Sequence, residues 1–131
     1  MLHPGGIALV AAVSRFASLH DGLRRGWLTD PDFAAIVDGD LTDGQHRNPT
    51  EHPHWFTTAF FHHPDELAAE VVESGLELRS LVGVEGAAWL VDDLEPTDAL
   101  LDRLRRVEAE PTLLGVSAHL LAVASAPERV D

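Results

Sequence analysis

Apolar residues along this chain gather into short runs and helical stripes, divided by turn-forming stretches. Pro4-Gly5-Gly6 is a turn signal, and behind it Ile7-Ala8-Leu9-Val10-Ala11-Ala12-Val13 runs apolar without polar alternation up to Ser14-Arg15. Such a run predicts a strand buried on both faces, as in a parallel sheet covered by helices. From Ser14 to Leu23, Phe16, Leu19 and Leu23 recur at helical spacing, and Arg24-Arg25-Gly26-Trp27 ends the pattern. A second helix is predicted after Thr29-Asp30, with Pro31 in its first turn and Phe33, Ile36 and Val37 on one side.

Between Gly39 and Trp55 the composition turns to Asp, Gly, His, Asn, Pro and Thr. A long unstructured stretch inside a small domain marks a lid or a binding loop. Phe56-Thr57-Thr58-Ala59-Phe60-Phe61 is rich in β formers and reads as a short strand. The clearest helix follows. Pro64 stands in its first turn, Asp65 and Glu66 suit its N-terminal end, Leu67, Val71 and Val72 form its apolar face, and Gly75 suits a left-handed C-cap. Leu76 to Val84 predicts a strand with one partly exposed face, and Glu85 to Val91 a loop with a helical turn. Thr97-Asp98 caps a further helix with Leu100, Leu101, Leu104 and Val107 as its buried stripe, Pro111 closes it, and His119 to Ala124 is the last strand. The order strand, helices, strand, helix, strand, helix, strand is α/β, without an internal repeat.

At 131 residues the chain suits one domain, and its apolar content is that of a folded protein. Twenty-two Asp and Glu against nine Arg and no Lys give a formal charge of -13, a field that repels nucleic acid and anionic membrane surfaces. The absence of Cys excludes disulfides, thiolate zinc sites and a cysteine nucleophile. The N-terminal apolar run is shorter than the ~20 residues of a membrane helix and has no basic leader, so a cytoplasmic location is expected.

Three segments together resemble one family. Leu2-His3-Pro4-Gly5-Gly6 before a strand resembles the L-x-P-G-G turn preceding the fifth strand of class I S-adenosylmethionine-dependent methyltransferases. His46-Arg47-Asn48-Pro49, then Phe56-Thr57-Thr58-Ala59-Phe60-Phe61 and His63-Pro64-Asp65-Glu66-Leu67, is similar to a bacterial subgroup with an HRNP…FTTAxFH.P.EL signature. Val72-Glu73-Ser74-Gly75-Leu76, Gly83-Val84-Glu85-Gly86 and Ser117-Ala118-His119-Leu120-Leu121 complete the set. The resemblance spans nearly all of the chain and implies the C-terminal part of a Rossmann-like methyltransferase sheet. That sheet is mixed, with antiparallel last strands, and carries a helical and loop lid insertion over residues 14–62 on the substrate side. It further implies S-adenosylmethionine as cofactor and a small-molecule methyl acceptor. The family's glycine-rich turn after the first strand, and the acidic residue for the ribose, have no counterpart here. No cofactor-binding residue is therefore assigned, the chain alone is expected to be inactive, and a companion N-terminal half or a homodimer is the expected partner.

The candidate substrate-binding residues are Ser14, Arg15 and Phe16 at the exit of the first strand, His46, Arg47 and Asn48 in the polar loop, and Trp55, Phe56 and Phe60 as aromatic walls. Ligands in open α/β sheets bind beyond the carboxyl ends of strands. Arg47 offers a bidentate fork and His46 a base near neutral pH, while pairing with acidic neighbours and turn formation at Asn48 are the structural alternatives. Glu85 reads as a structural carboxylate and His119 as a core histidine. The histidines at 46, 52, 54, 62 and 63 lack the H-x-x-x-H or H-E-x-x-H spacing of a zinc site, so a metal-dependent hydrolase ranks behind methyl transfer and behind a non-catalytic binding or dimerisation module.

Overall fold

The computed structural model describes residues 2–128. Strand β1 (Ile7–Val13) leads into helix α1 (Ala17–Arg25), a 3-10 turn (Trp27–Thr29) and helix α2 (Pro31–Asp43). Two short strands, β2 (Gln45–His46) and β3 (Ala59–Phe60), pair antiparallel and bracket a loop, and α3 (Pro64–Glu73) follows. Then come β4 (Glu77–Gly83), a 3-10 turn (Gly86–Leu90), α4 (Asp98–Val107), a second 3-10 stretch (Pro111–Val116) and β5 (His119–Ser125). The fold is mixed α/β, as the pattern of apolar runs predicts.

The main sheet has the order β1-β5-β4, with β5 antiparallel to both neighbours. Ala8, Val10 and Ala12 face Ala124, Ala122 and Leu120 across the β1/β5 ladder. Of these, Val10, Ala12, Leu120, Ala122 and Ala124 pack with Leu67 and Val71 of α3, with Leu114, and with Leu76, Leu78 and Leu81 around β4. Ala122 and Ala124, both fully buried, carry no side chain beyond Cβ, which lets α3 lie close against the strand. The opposite face is open. Ile7 is 60% and Leu9 66% exposed, which corrects the expectation of a strand buried on both faces within a parallel sheet. The unbroken apolar run is real, but the described residues cover only its even face and pair only one of its edges.

Local chemistry explains the helices. Asp30 accepts from the Asp32 N–H at 2.9 Å with Pro31 at the first helical position, and Phe33, Ile36 and Val37 are buried as predicted. α2 continues to Asp43, so residues 39–43 are helical rather than loop. Gly44 ends it at φ +76°, where a Cβ would stand 2.5 Å from the Phe61 carbonyl oxygen, so only glycine fits. α3 opens with a capping box between His63 and Glu66, and Gly75 beyond its end has φ +86°. Val72, however, faces out at 57% exposure. In α1 the buried residues are Ala17, Ser18 and Gly22, whereas Leu23 is exposed. The predicted strand over 56–61 shrinks to β3 because Phe56 adopts φ +66°, outside the extended region. Thr97 caps α4 as expected, yet no residue of that helix is buried. Its leucines border an open groove with Val84, Val91 and Leu94.

Candidate functional site

Beyond the C-terminal end of β1 and the start of β5, α1, α2, the 47–58 loop and the Gly86–Leu90 turn enclose a cleft of about 210 Å³. A second core of Phe33, Ile36, Val37 and Trp55, with Leu19, Trp27 and Leu28 against it, supports its walls. Trp27 and Trp55 each meet Phe33, with ring centroids 5.4 and 5.3 Å apart. Trp89 donates its indole N–H to the Val116 carbonyl at 2.8 Å, and Arg24 donates to the Trp89 carbonyl at 2.7 Å. The cleft is lined further by Val13, Ala17, Ser18, Asp21, His54, Phe56, Phe61, Ala118 and His119. An apolar concavity with a few convergent polar groups is the form that small-molecule sites take.

His46 builds one wall from behind. It is 1% exposed, its Nδ1 lies 2.9 and 3.0 Å from the two carboxylate oxygens of Asp40, and its Nε2 lies 2.8 Å from the Trp55 carbonyl oxygen. A carbonyl and a carboxylate both accept, so both ring nitrogens donate and the ring is an imidazolium. Burial alone would push His46 down, but the hydrogen bonds to Asp40 and Trp55 and the Asp40 charge outweigh it and raise it above its ordinary value. The ring stacks on Phe61 with centroids 4.4 Å apart. Within the loop, Asn48 Nδ2 donates to the His52 and Phe56 carbonyls, each at 2.9 Å, and its Oδ1 accepts from Thr50 at 2.9 Å. His52 stacks on Trp55 at 4.2 Å. This bracing holds Phe56 at its left-handed φ while the residue, which lines the cleft, stays 54% exposed. Backbone strain of this sort persists only where neighbours over-determine it, and it gathers at functional sites.

Of the predicted site residues, Trp55 and Phe56 line the cleft, and the others stand elsewhere. Ser14 is buried, bridges to His62 and receives the Phe16 N–H at 3.4 Å. Arg15 donates to the Phe61 carbonyl at 2.9 Å and pairs with Glu66 at 2.6 Å, a clamp between β1, β3 and α3. Its charge and the His63 N–H hold Glu66 below the usual carboxylate range, the backbone hydrogen bond contributing most. Phe16 packs edge-on against His63 and Phe60 lies beneath the Arg15 guanidinium, both away from the cleft. His46 offers a ligand no free nitrogen. Arg47 is exposed on a different surface, beside Ile36 and Pro49, and Asn48 organises the loop.

The sequence reading missed Asp21, Trp27 and Trp89 and misjudged His119. The imidazole of His119 is 52% exposed rather than in the core, and its Nδ1 is in short contact with Glu85 Oε1. Glu85 Oε2 accepts from the Ser117 hydroxyl at 2.8 Å and from the His119 N–H at 3.0 Å. Burial raises Glu85, but these hydrogen bonds outweigh it and hold the carboxyl below the usual range. The one available signal was the alternation at the head of β5, which places Leu120 in the interior and His119 on the other face.

Among the described residues no group of three or more His, Asp or Glu is arranged to hold a metal ion, and no helix is long and apolar enough to cross a membrane. The chain matches no protein-family model and no curated protein.

Proposed function

We propose that the chain is the acceptor-side part of a class I methyltransferase and that the aromatic cleft holds a small-molecule methyl acceptor. The observation that carries this reading is the sheet order. The last strand in sequence runs antiparallel between β1 and β4, in keeping with the antiparallel last strands that the resembled family has after its fifth strand. Two features support it. The cleft lies beyond the carboxyl end of β1, where open α/β sheets bind ligands. The outer edge of β1 is left open, where the preceding strand of a larger sheet would pair, and Ile7 and Leu9 on one face of that strand are uncovered.

The residues present do not fit the cofactor. Gly5 and Gly6 form a turn closed on the chain itself, the Gly5 N–H donating to Ala126 at 3.1 Å and the Gly6 N–H to His3 at 2.8 Å. A Cβ at Gly5 would stand 2.6 Å from the Glu128 carboxylate, so this turn is no open phosphate or nucleoside cradle, and it sits at the end of β1 away from the cleft.

The test has two parts. Calorimetric titration of the chain alone with S-adenosylmethionine is expected to give no saturable binding. The chain expressed with the coding sequence immediately upstream of Met1 is expected to retain the labelled cofactor and transfer its methyl group. Failure of the extended chain to do either refutes the reading. A second reading, a binding or dimerisation module acting through the open β1 edge, rests on the exposure of Ile7 and Leu9, and an extended chain that dimerises but retains no cofactor supports it.

A further inference from the structure

The cleft's chemistry narrows what enters it. Its walls are aromatic on several sides, through Trp27, Phe33, Trp55, Phe56, Phe61 and Trp89. A cavity of about 150 Å³ already accepts benzene, so about 210 Å³ suits one planar ring system with small substituents. No Arg lines it, and the chain's charge of -13 opposes a ligand that arrives as an anion. The one carboxylate that lines it, Asp21, is already engaged by Arg25 at 2.9 Å and Arg24 at 3.5 Å, so a cationic ligand finds no free counter-charge. What remains is a neutral ring.

Among the lining groups, His119 is held by a carboxylate in a way that suits proton transfer. His119 Nδ1 faces the Glu85 carboxylate, which the Ser117 hydroxyl and the His119 N–H hold in place. An ionised carboxylate only accepts, so Nδ1 carries a hydrogen, and in the neutral ring Nε2 holds the lone pair. Nε2 has no protein partner among the described residues. We propose that the cleft takes a neutral aromatic hydroxyl compound and that His119 Nε2 accepts its hydroxyl proton, with Glu85 as the positioning residue. The O–H bond breaks and its electron pair stays on oxygen as a phenolate. The proton forms an N–H bond at Nε2, and the resulting imidazolium is balanced by Glu85. The other titratable groups at the cleft are Asp21, held by its two arginines, and His54 on the loop. This inference rests on the methyl-acceptor reading only for what becomes of the phenolate.

All three tryptophans of the chain line this cleft, so its occupation is readable in intrinsic fluorescence. The probe is 4-nitrophenol, whose ionised form absorbs in the visible. Titration of the intact chain is expected to quench tryptophan emission saturably and to ionise the bound probe about tenfold more readily than the free one, an apparent midpoint lower by about one pH unit. His119→Asn is expected to keep the quenching and lose the shift, and Glu85→Gln to reduce it. 4-Nitrobenzoate and benzylamine are expected to bind at least about tenfold more weakly. No saturable quenching by 4-nitrophenol, an unshifted midpoint in the parent chain, or a full shift in a folded His119→Asn variant overturns the inference. The parent measurement decides even where a variant fails to fold. A probe ionised by His119 in an extended chain that transfers no methyl group sinks the methyltransferase reading alone. Methyl transfer to phenols unaffected by His119→Asn sinks this inference alone.

Discussion

Asp40→Ala tests whether the buried His46–Asp40 pair fixes the cleft wall. Both side chains are 1% exposed, and Asp40 accepts from His46 at 2.9 and 3.0 Å. Removing one partner of such a pair leaves the other charge buried and uncompensated, which costs about 3–5 kcal/mol against the roughly 5–15 kcal/mol that holds a domain of this size together. For a chain between the small and medium size classes this corresponds to a melting temperature lower by roughly 10–20 °C. The sign of the pH dependence follows from His46, whose folded value is raised above 6.5. The pair's contribution is complete below the unfolded value near 6.5 and is lost as pH rises through the folded value. The gap between parent and variant is therefore widest near about pH 6 and narrows as pH rises through the folded value. Circular dichroism melts across this pH range measure it, and tryptophan emission reports the wall itself, because His46, which holds the Trp55 carbonyl at 2.8 Å, loses its Asp40 anchor. Equal melting temperatures at about pH 6, or a gap that widens with pH, would refute the reasoning.

Three further outcomes follow from packing. Val71→Asp places a charge among Leu67, Leu120 and Ala122 and is expected to cost about 2–5 kcal/mol or to prevent folding, read from urea unfolding. Gly22→Ala puts a Cβ 2.5 Å from the Phe33 ring, an overpacking expected to cost about 1–3 kcal/mol and to alter tryptophan emission through Phe33 and Trp27; an unchanged melt and spectrum would show that α1 and α2 are farther apart than described. The uncovered β1 edge with Ile7 and Leu9 is expected to drive dimers or aggregates at physiological salt, since charge repulsion is screened within ~8 Å, and Leu9→Glu is expected to reduce them; light scattering that finds a stable parent monomer over a wide concentration range counts against this.

The helices begun by Pro31 and Pro64 were legible because their signals are local: a capping side chain, a first-turn proline and apolar residues at helical spacing. β4 and β5 were legible as runs for the same reason. Pairing was not. Whether Ile7–Val13 has one neighbour or two, and whether they run parallel, depends on segments far away in the chain, and its composition is the same in either case. The cleft shows the same division. Trp55 and Phe56 could be named from a loop rich in aromatics, but His46 was misread because the ion pair that buries it comes from the last turn of a helix that the polar composition concealed. His119 was read as core since it heads an apolar strand, but the alternation of β5 turns it outward, where Glu85 beyond the end of β4 meets it.

The place of β5 also governs when this protein can fold. Ile7 is matched with Ser125, and β4 reaches β1 only through the same strand. During synthesis β1 emerges long before β5, and the edge that β5 will cover stays unpaired until that strand has been made. Long-range pairing of this kind is slow and exposes sticky intermediates. A stop codon before His119 removes the middle of the sheet rather than its margin, leaving β1 and β4 with no ladder to join. The chain is thus under translational as well as thermodynamic constraint, and shortening it from the C-terminal side damages it far more than the small number of residues lost would suggest.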